Sequence, residues 1–151
     1  MVNITARQLA LRLENPFKLS YGTSTVRENV LVQIDDGTYT GVGEAAVVPY
    51  YHETPERILK YLSDPAVAKA VGADPFLLED ALDRLLPAES PAARAAVDMA
   101  LHDLWAQHLG QPLYRLWGLN RRGFRTARLR WRWRMMRRLI ASTSAPRART
   151  S

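Results

Sequence analysis

The sequence predicts an α+β domain, a three-stranded antiparallel sheet followed by a helical bundle, with no barrel. Three observations carry this. Apolar residues alternate with a period of two in the first 48 residues, and Asp36-Gly37 interrupts them with a tight-turn pair. Beyond Val48 the spacing becomes helical, and the helices open at pairs of a capping residue and proline. There is no strand–helix–strand alternation and no internal repeat, so the two element types are segregated.

The first strand spans Ile4 to Leu13, where Leu9, Leu11 and Leu13 alternate with Ala10, Arg12 and Glu14 and turn one face toward a core. The second carries Val30, Val32 and Ile34. Asp36-Gly37 then returns the chain as "TYTGVGEAAVV", the third strand. Between the first two strands "NPFKLSYGTSTVREN" is rich in Pro, Gly, Ser and Thr and is expected to be a long loop, hence a candidate site. Thr54-Pro55, Asp74-Pro75 and Ser90-Pro91 predict helices over 55–63, 75–86 and 91–109. Leu77, Leu78, Ala81, Leu82 and Leu85 form one stripe, and Val97, Ala100, Leu101, Leu104 and Trp105 form another that ends at Gly110.

Charge divides the chain in two. Residues 1–120 hold ten basic and fifteen acidic side chains, net −5, whereas residues 121–151 hold eleven arginines and no acid, net +11. The overall +6 is therefore not a property of the body, which carries no hint of a nucleic-acid partner. No apolar run approaches the ~20 residues that span a bilayer, and the first residues lack the pattern of a secretory signal. With no cysteine there is no disulfide and no thiolate metal site. The expected location is the cytoplasm.

Within the body, Asp98 and His102 stand four apart on one helical face, a spacing open to a metal or an acid–base pair. With no third ligand at helical spacing, a helix-supporting contact is the stronger expectation. Glu44, in "GVGEAA", reads as a structural carboxylate bonded to nearby backbone, and its glycine neighbours suggest close backbone approach. His52, beside Tyr50 and Tyr51, fits equally a ligand-facing loop or an amphipathic surface. No phosphate loop, nucleophile elbow or paired-histidine motif is present.

The stretches "PFKLSYGTSTVRENVLVQI", "GTYTGVGEAAVVPYYHETPE", "DPFLLEDALDRL" and "AARAAVDMALHDLWAQHLGQPLYRLWGLN" resemble the amino-terminal capping domain of dipeptide epimerases in the enolase superfamily, relatives of muconate-lactonizing enzymes. The resemblance runs from Ile4 to Asn120, and the long helix with the "GVGEA" strand is its most specific part. It implies a domain over 1–120 that closes a (β/α)₈ barrel, with two loops, Phe17–Thr25 and Val47–His52, shaping the substrate pocket. The implied substrate contacts are Tyr21, Thr23, Ser24, Tyr50 and Tyr51. No arginine lies between Phe17 and Val26 to meet an acidic substrate, so a small or apolar dipeptide such as Ala-Ala is the implied preference.

The resemblance also implies that the chemistry resides elsewhere. The family uses two barrel lysines and a carboxylate-bound Mg²⁺, and a barrel needs about 250 residues, whereas 31 residues follow Asn120. Lys18, Lys60 and Lys69 match no catalytic position, so no catalytic or metal residue carries over, no cofactor is expected in this chain, and the chain is expected to be inactive alone.

The tail, 121–151, is expected to be disordered, and a shifted reading frame in GC-rich DNA accounts for its arginine, alanine, serine and proline. Two alternatives stand beside this. Trp131 and Trp133 among arginines suit a nucleic-acid- or membrane-binding tail, and the body suits a fragment that pairs with a separate barrel chain. The main reading expects no nucleic-acid and no membrane partner. It expects aggregation or an oligomer through the uncovered face around Phe17, Tyr21, Tyr50 and Tyr51.

Overall fold

A computed structural model describes residues 2–19, 22–72, 74, 76–85 and 90–119. The expectations for Tyr21 and for the tail, 121–151, lie outside the described residues.

Three strands, β1 (Asn3–Leu19), β2 (Gly22–Asp35) and β3 (Thr40–Ala45), form one antiparallel sheet in the order β1-β2-β3. Ile4 lies opposite Ile34, Ala6 opposite Val32, and Val30 opposite Ala45. The β2–β3 connection is the expected turn. Gly37 has φ +95°, and the Asp36 N–H donates to the Tyr39 carbonyl at 3.2 Å.

The segment expected to be a long loop is instead mostly strand, because β1 and β2 pair out to Leu19 and Gly22. The irregularity is local. Arg12 pairs with Val26 and Phe17 with Ser24, so four residues of β1 face one of β2. Pro16, which has no N–H for the ladder, falls within that bulge. The Arg27 guanidinium sits over the Phe17 ring at 5.1 Å and spans the bulge from the partner strand.

The helices are α1 (Pro55–Leu62), α2 (Pro65–Val71), α3 (Leu78–Arg84), α4 (Pro91–His108) and the single turn α5 (Leu113–Leu116). Thr54 and Ser90 cap α1 and α4 as expected, their hydroxyls accepting from Arg57 N and Ala93 N. Two expectations need correction. The Asp74-Pro75 pair does not start α3: the Asp74 carboxylate accepts from Phe76 N in a local turn and the helix begins at Leu78, leaving Leu77 exposed. The helix α2 was not anticipated, although Asp64-Pro65 opens it with the same signature, the Asp64 carboxylate accepting from Ala66 N.

All the long helices share one core with a single face of the sheet: Val30, Val32 and Ile34 meet Ile58, Val97, Leu101 and Leu104. Helix α4 lies closest. A Cβ on Gly41 would stand 2.0 Å from the Ala100 carbonyl oxygen and one on Gly43 1.9 Å from that of Ala96, so only glycine admits the helix at this distance. The helix also covers the outer edge of β3. Asp103 accepts from Val42 N at 3.0 Å, and Gln107 donates to the Thr40 carbonyl at 2.9 Å. Burial raises the Asp103 carboxyl above the ordinary carboxylate range, against the lowering pull of these donors.

The β1 alternation holds as expected from Leu9 to Glu14: Leu9 is buried and Leu11 and Leu13 are half-buried, whereas Ala10, Arg12 and Glu14 are exposed. Ile4 and Ala6 pack on the helix-side core, whereas Leu9, opposite Asn29, is buried outside that cluster, as is Leu31. Both sheet faces therefore carry apolar residues.

At the far end of α4, His108 Nε2 bonds the Asp36 carboxylate in the β2–β3 turn, with the Tyr39 ring edge-on to the imidazole. Burial alone would raise the Asp36 carboxyl, but donors from Tyr39 N, His108 and Thr38 N outweigh it and hold it at about 2.

Candidate substrate-facing surface

Two regions answer to the predicted site. On the hairpin, Thr23 pairs with Lys18 and Ser24 with Phe17 near the tip of β1–β2. The Ser24 hydroxyl donates to the Val26 carbonyl at 2.6 Å, so its proton is committed to the strand. Thr23 and Phe17 are exposed.

The second region follows β3. Pro49–Tyr51 form a 3₁₀ turn in which Tyr51 N donates to the Val48 carbonyl. The Tyr50 and Tyr51 rings meet edge to face at 5.2 Å and are 73% and 67% exposed, so they project into solvent while packing on each other. His52 is exposed at φ +57°, a left-handed conformation unusual for a residue with a Cβ, and Arg57 Nη1 donates to its carbonyl at 3.1 Å. Among the described residues no hydrogen bond or ring contact joins Thr23 or Ser24 to the tyrosine pair.

Two residues of this region escaped the sequence reading. Glu53 is buried at 6% exposure, where its carboxylate accepts from the Ser90 hydroxyl at 3.0 Å and from Ala92 N at 3.2 Å. It thereby binds the turn to the positive end of α4. Arg57 projects from α1, and with Ala46, Val48, Tyr51, Glu53, Pro91 and Ala92 it lines a cleft of about 530 Å³. The sequence held no signal for Glu53, whose partners lie 37 and 39 residues away.

The other candidates resolve as structure. His102 Nδ1 lies 2.8 Å from the Asp98 carboxylate, and its ring is edge-on to Trp105 and Trp117, a contact that supports α4 and α5. Glu44 accepts from the Asn29 side-chain amide rather than from backbone as expected, while Asn29 Oδ1 takes Val47 N.

The sequence pattern of the mandelate racemase / muconate lactonizing enzyme N-terminal domain matches residues 1–118. The chain belongs to this family. Within it, the chain is 41% identical over 114 residues to an L-Ala-D/L-Glu epimerase of Bacteroides thetaiotaomicron, covering 74% of this chain and 29% of that protein. The dipeptide epimerase of Methylococcus capsulatus, solved with Mg and L-Arg-D-Lys, superposes with a TM-score of 0.64 at 35% identity over 77% of this chain and 34% of that one. The Enterococcus faecalis dipeptide epimerase, solved with Mg and L-Leu-L-Tyr, gives a TM-score of 0.68 at 28% identity over 75% and 33%. The chain spans about a third of the length of the curated relatives it matches.

The described residues do not fit the Mg of those relatives. No three His, Asp or Glu side chains converge among them. Three carboxylates are committed to protein partners, Glu53 to Ser90 and Ala92, Asp103 to Val42 and Gln107, and Asp36 to His108. No chemical step is assigned to a metal in this domain.

Proposed function

We propose that residues 1–120 are the substrate-sorting cap of a dipeptide epimerase, and that proton transfer is supplied by a barrel to which this cap belongs. The observation that carries this is the pairing of an exposed aromatic turn, Tyr50–Tyr51, with a rigid anchorage. Glu53 ties the turn to α4 and Arg57 donates to the His52 carbonyl. An anchored, solvent-facing aromatic pair beside a cleft discriminates ligands by shape without offering a base of its own. The relatives solved with dipeptides support the substrate class, a dipeptide whose side chains are sorted by Thr23, Ser24, Tyr50 and Tyr51, and by Tyr21, which lies outside the described residues. The Mg of those structures supports a divalent ion held by the barrel. The absence of arginine between Phe17 and Val26 favours a small or apolar side chain such as that of Ala-Ala.

A chimera tests this. Residues 1–118 replace the matching region of the Bacteroides epimerase, and turnover is followed by α-deuterium incorporation in D₂O over a panel of dipeptides. The expected result is an active chimera whose preference moves from Ala-Glu toward Ala-Ala, a shift reversed by Tyr51→Ala. An active chimera with the parent's preference unchanged refutes a sorting role.

A further inference from the structure

We propose that Arg57 is a positioning residue: by donating to the His52 carbonyl it keeps His52 in a left-handed conformation, and this joint sets the direction in which Tyr50 and Tyr51 face a dipeptide. The dipeptide rests on the cap reading; the joint does not. The turn is fixed on either side of His52. Before it, Tyr51 N donates to the Val48 carbonyl. After it, the Glu53 carboxylate is buried against Ser90 and Ala92 at the start of α4. The tyrosines face solvent while Glu53 faces inward, so the chain reverses between them, and His52 takes the reversal at φ +57°.

Among the described residues His52 is the one non-glycine at positive φ. Glycine adopts this conformation freely, whereas a Cβ disfavours it by about tenfold. Compensation therefore comes from outside the residue. The imidazole is exposed, and the neighbouring tyrosines are too exposed to supply it by packing. What reaches the joint is Arg57, whose Nη1 donates to the His52 carbonyl at 3.1 Å, a charge-assisted hydrogen bond of the stronger kind. Arg57 stands in the first turn of α1, where its own N–H is taken by the Thr54 cap, so the donor projects from a fixed base. The direction of that carbonyl follows from the dihedrals of His52, so the bond is available to the left-handed conformation and is lost when the residue leaves it.

The test uses the intact 151-residue chain and the chimera of residues 1–118 with the Bacteroides epimerase. In the chain, the NMR cross-peak between the amide and α protons of residue 52 reports the joint, because a positive φ brings these two protons closest. The cross-peak is expected to fall to the level of a right-handed residue in Arg57→Ala. It should fall equally in His52→Val, where a β-branched residue resists the left-handed region with Arg57 intact. It should stay strong in the double variant His52→Asn/Arg57→Ala, since asparagine tolerates that region. In the chimera, Arg57→Ala and His52→Val should each raise KM for Ala-Ala about tenfold with kcat within about twofold, the mark of lost uniform binding. The double variant should bring KM back to within about threefold of the unsubstituted chimera. An undiminished cross-peak in Arg57→Ala or His52→Val overturns the joint, whatever the chimera does. A lost cross-peak with KM unchanged, or a KM that fails to recover in the double variant, overturns the positioning role. A chimera that keeps the parent's preference refutes the sorting reading, and the cross-peak series still decides the joint.

Discussion

Gly41 and Gly43 set the distance between sheet and helix, and each does so through the absence of one carbon. Because the obstructing atoms are backbone carbonyl oxygens of α4, no rotamer change relieves the clash and the helix must move. Gly43→Ala is expected to cost about 3 kcal/mol or more, read as a lower midpoint in urea unfolding with native-like slope. Gly37→Ala, where a Cβ meets nothing but φ is +95°, should cost only about 1 kcal/mol. The close approach at Gly43 was legible in "GVGEA"; the identity of the atoms approached was not, since Ala96 and Ala100 lie more than fifty residues away. Asp36 gives a pH-dependent prediction at the same scale. Its carboxyl sits at about 2 in the fold against an ordinary 3.8, so its stabilising contribution is complete above pH 4 and disappears as pH falls toward 2. Asp36→Asn should therefore lower the melting temperature at pH 7, with the gap to the unsubstituted chain closing between pH 4 and pH 2.

At the scale of elements, the start of α4 joins local and distant chemistry. Ser90 satisfies Ala93 N from within the helix, while Glu53 satisfies Ala92 N and the Ser90 hydroxyl from the turn before α1. Ser90→Ala is expected to cost about 1 kcal/mol as a lost cap. Glu53→Ala leaves buried donors unpaired and should cost about 2 kcal/mol. Since the two share hydrogen bonds, the double variant should cost less than the sum, which thermal unfolding of all four forms measures. Ser90 was readable because capping is local, and Glu53 was not because its role is tertiary. The same division explains the helix starts. Thr54-Pro55 and Ser90-Pro91 mark true N-termini, yet Asp74-Pro75 makes only a turn, because an aspartate bonding two residues ahead is equally content without a helix. The hairpin misled for a different reason. Its Pro, Gly, Ser and Thr suggested a loop, but pairing along the full length of β1 and β2 overrides weak local preference, and the departure from regularity shrinks to the bulge around Pro16.

For the whole molecule, the fold class and the family were legible because they rest on periodicity and on one long, specific helix, whereas the sequence offered the candidate site only as two separate regions. What joins the tyrosine turn to α4 is a buried carboxylate, Glu53, that no spacing reveals. Catalysis is a property of this scale too. Epimerisation removes and returns a proton at a carbon beside a carbonyl, which needs a base on each face of that carbon and a means of holding the enediolate. Lys18, Lys60 and Lys69 are exposed on three separate elements, β1, α1 and α2, and match neither of the family's barrel lysines. The 151-residue chain is therefore expected to leave the α-hydrogens of Ala-Ala and Ala-Glu unexchanged in D₂O, with or without added Mg²⁺, at rates indistinguishable from buffer. Deuterium incorporation that follows the chain through purification, and survives Tyr50→Ala and Tyr51→Ala, would place a catalytic site within this chain and overturn this expectation.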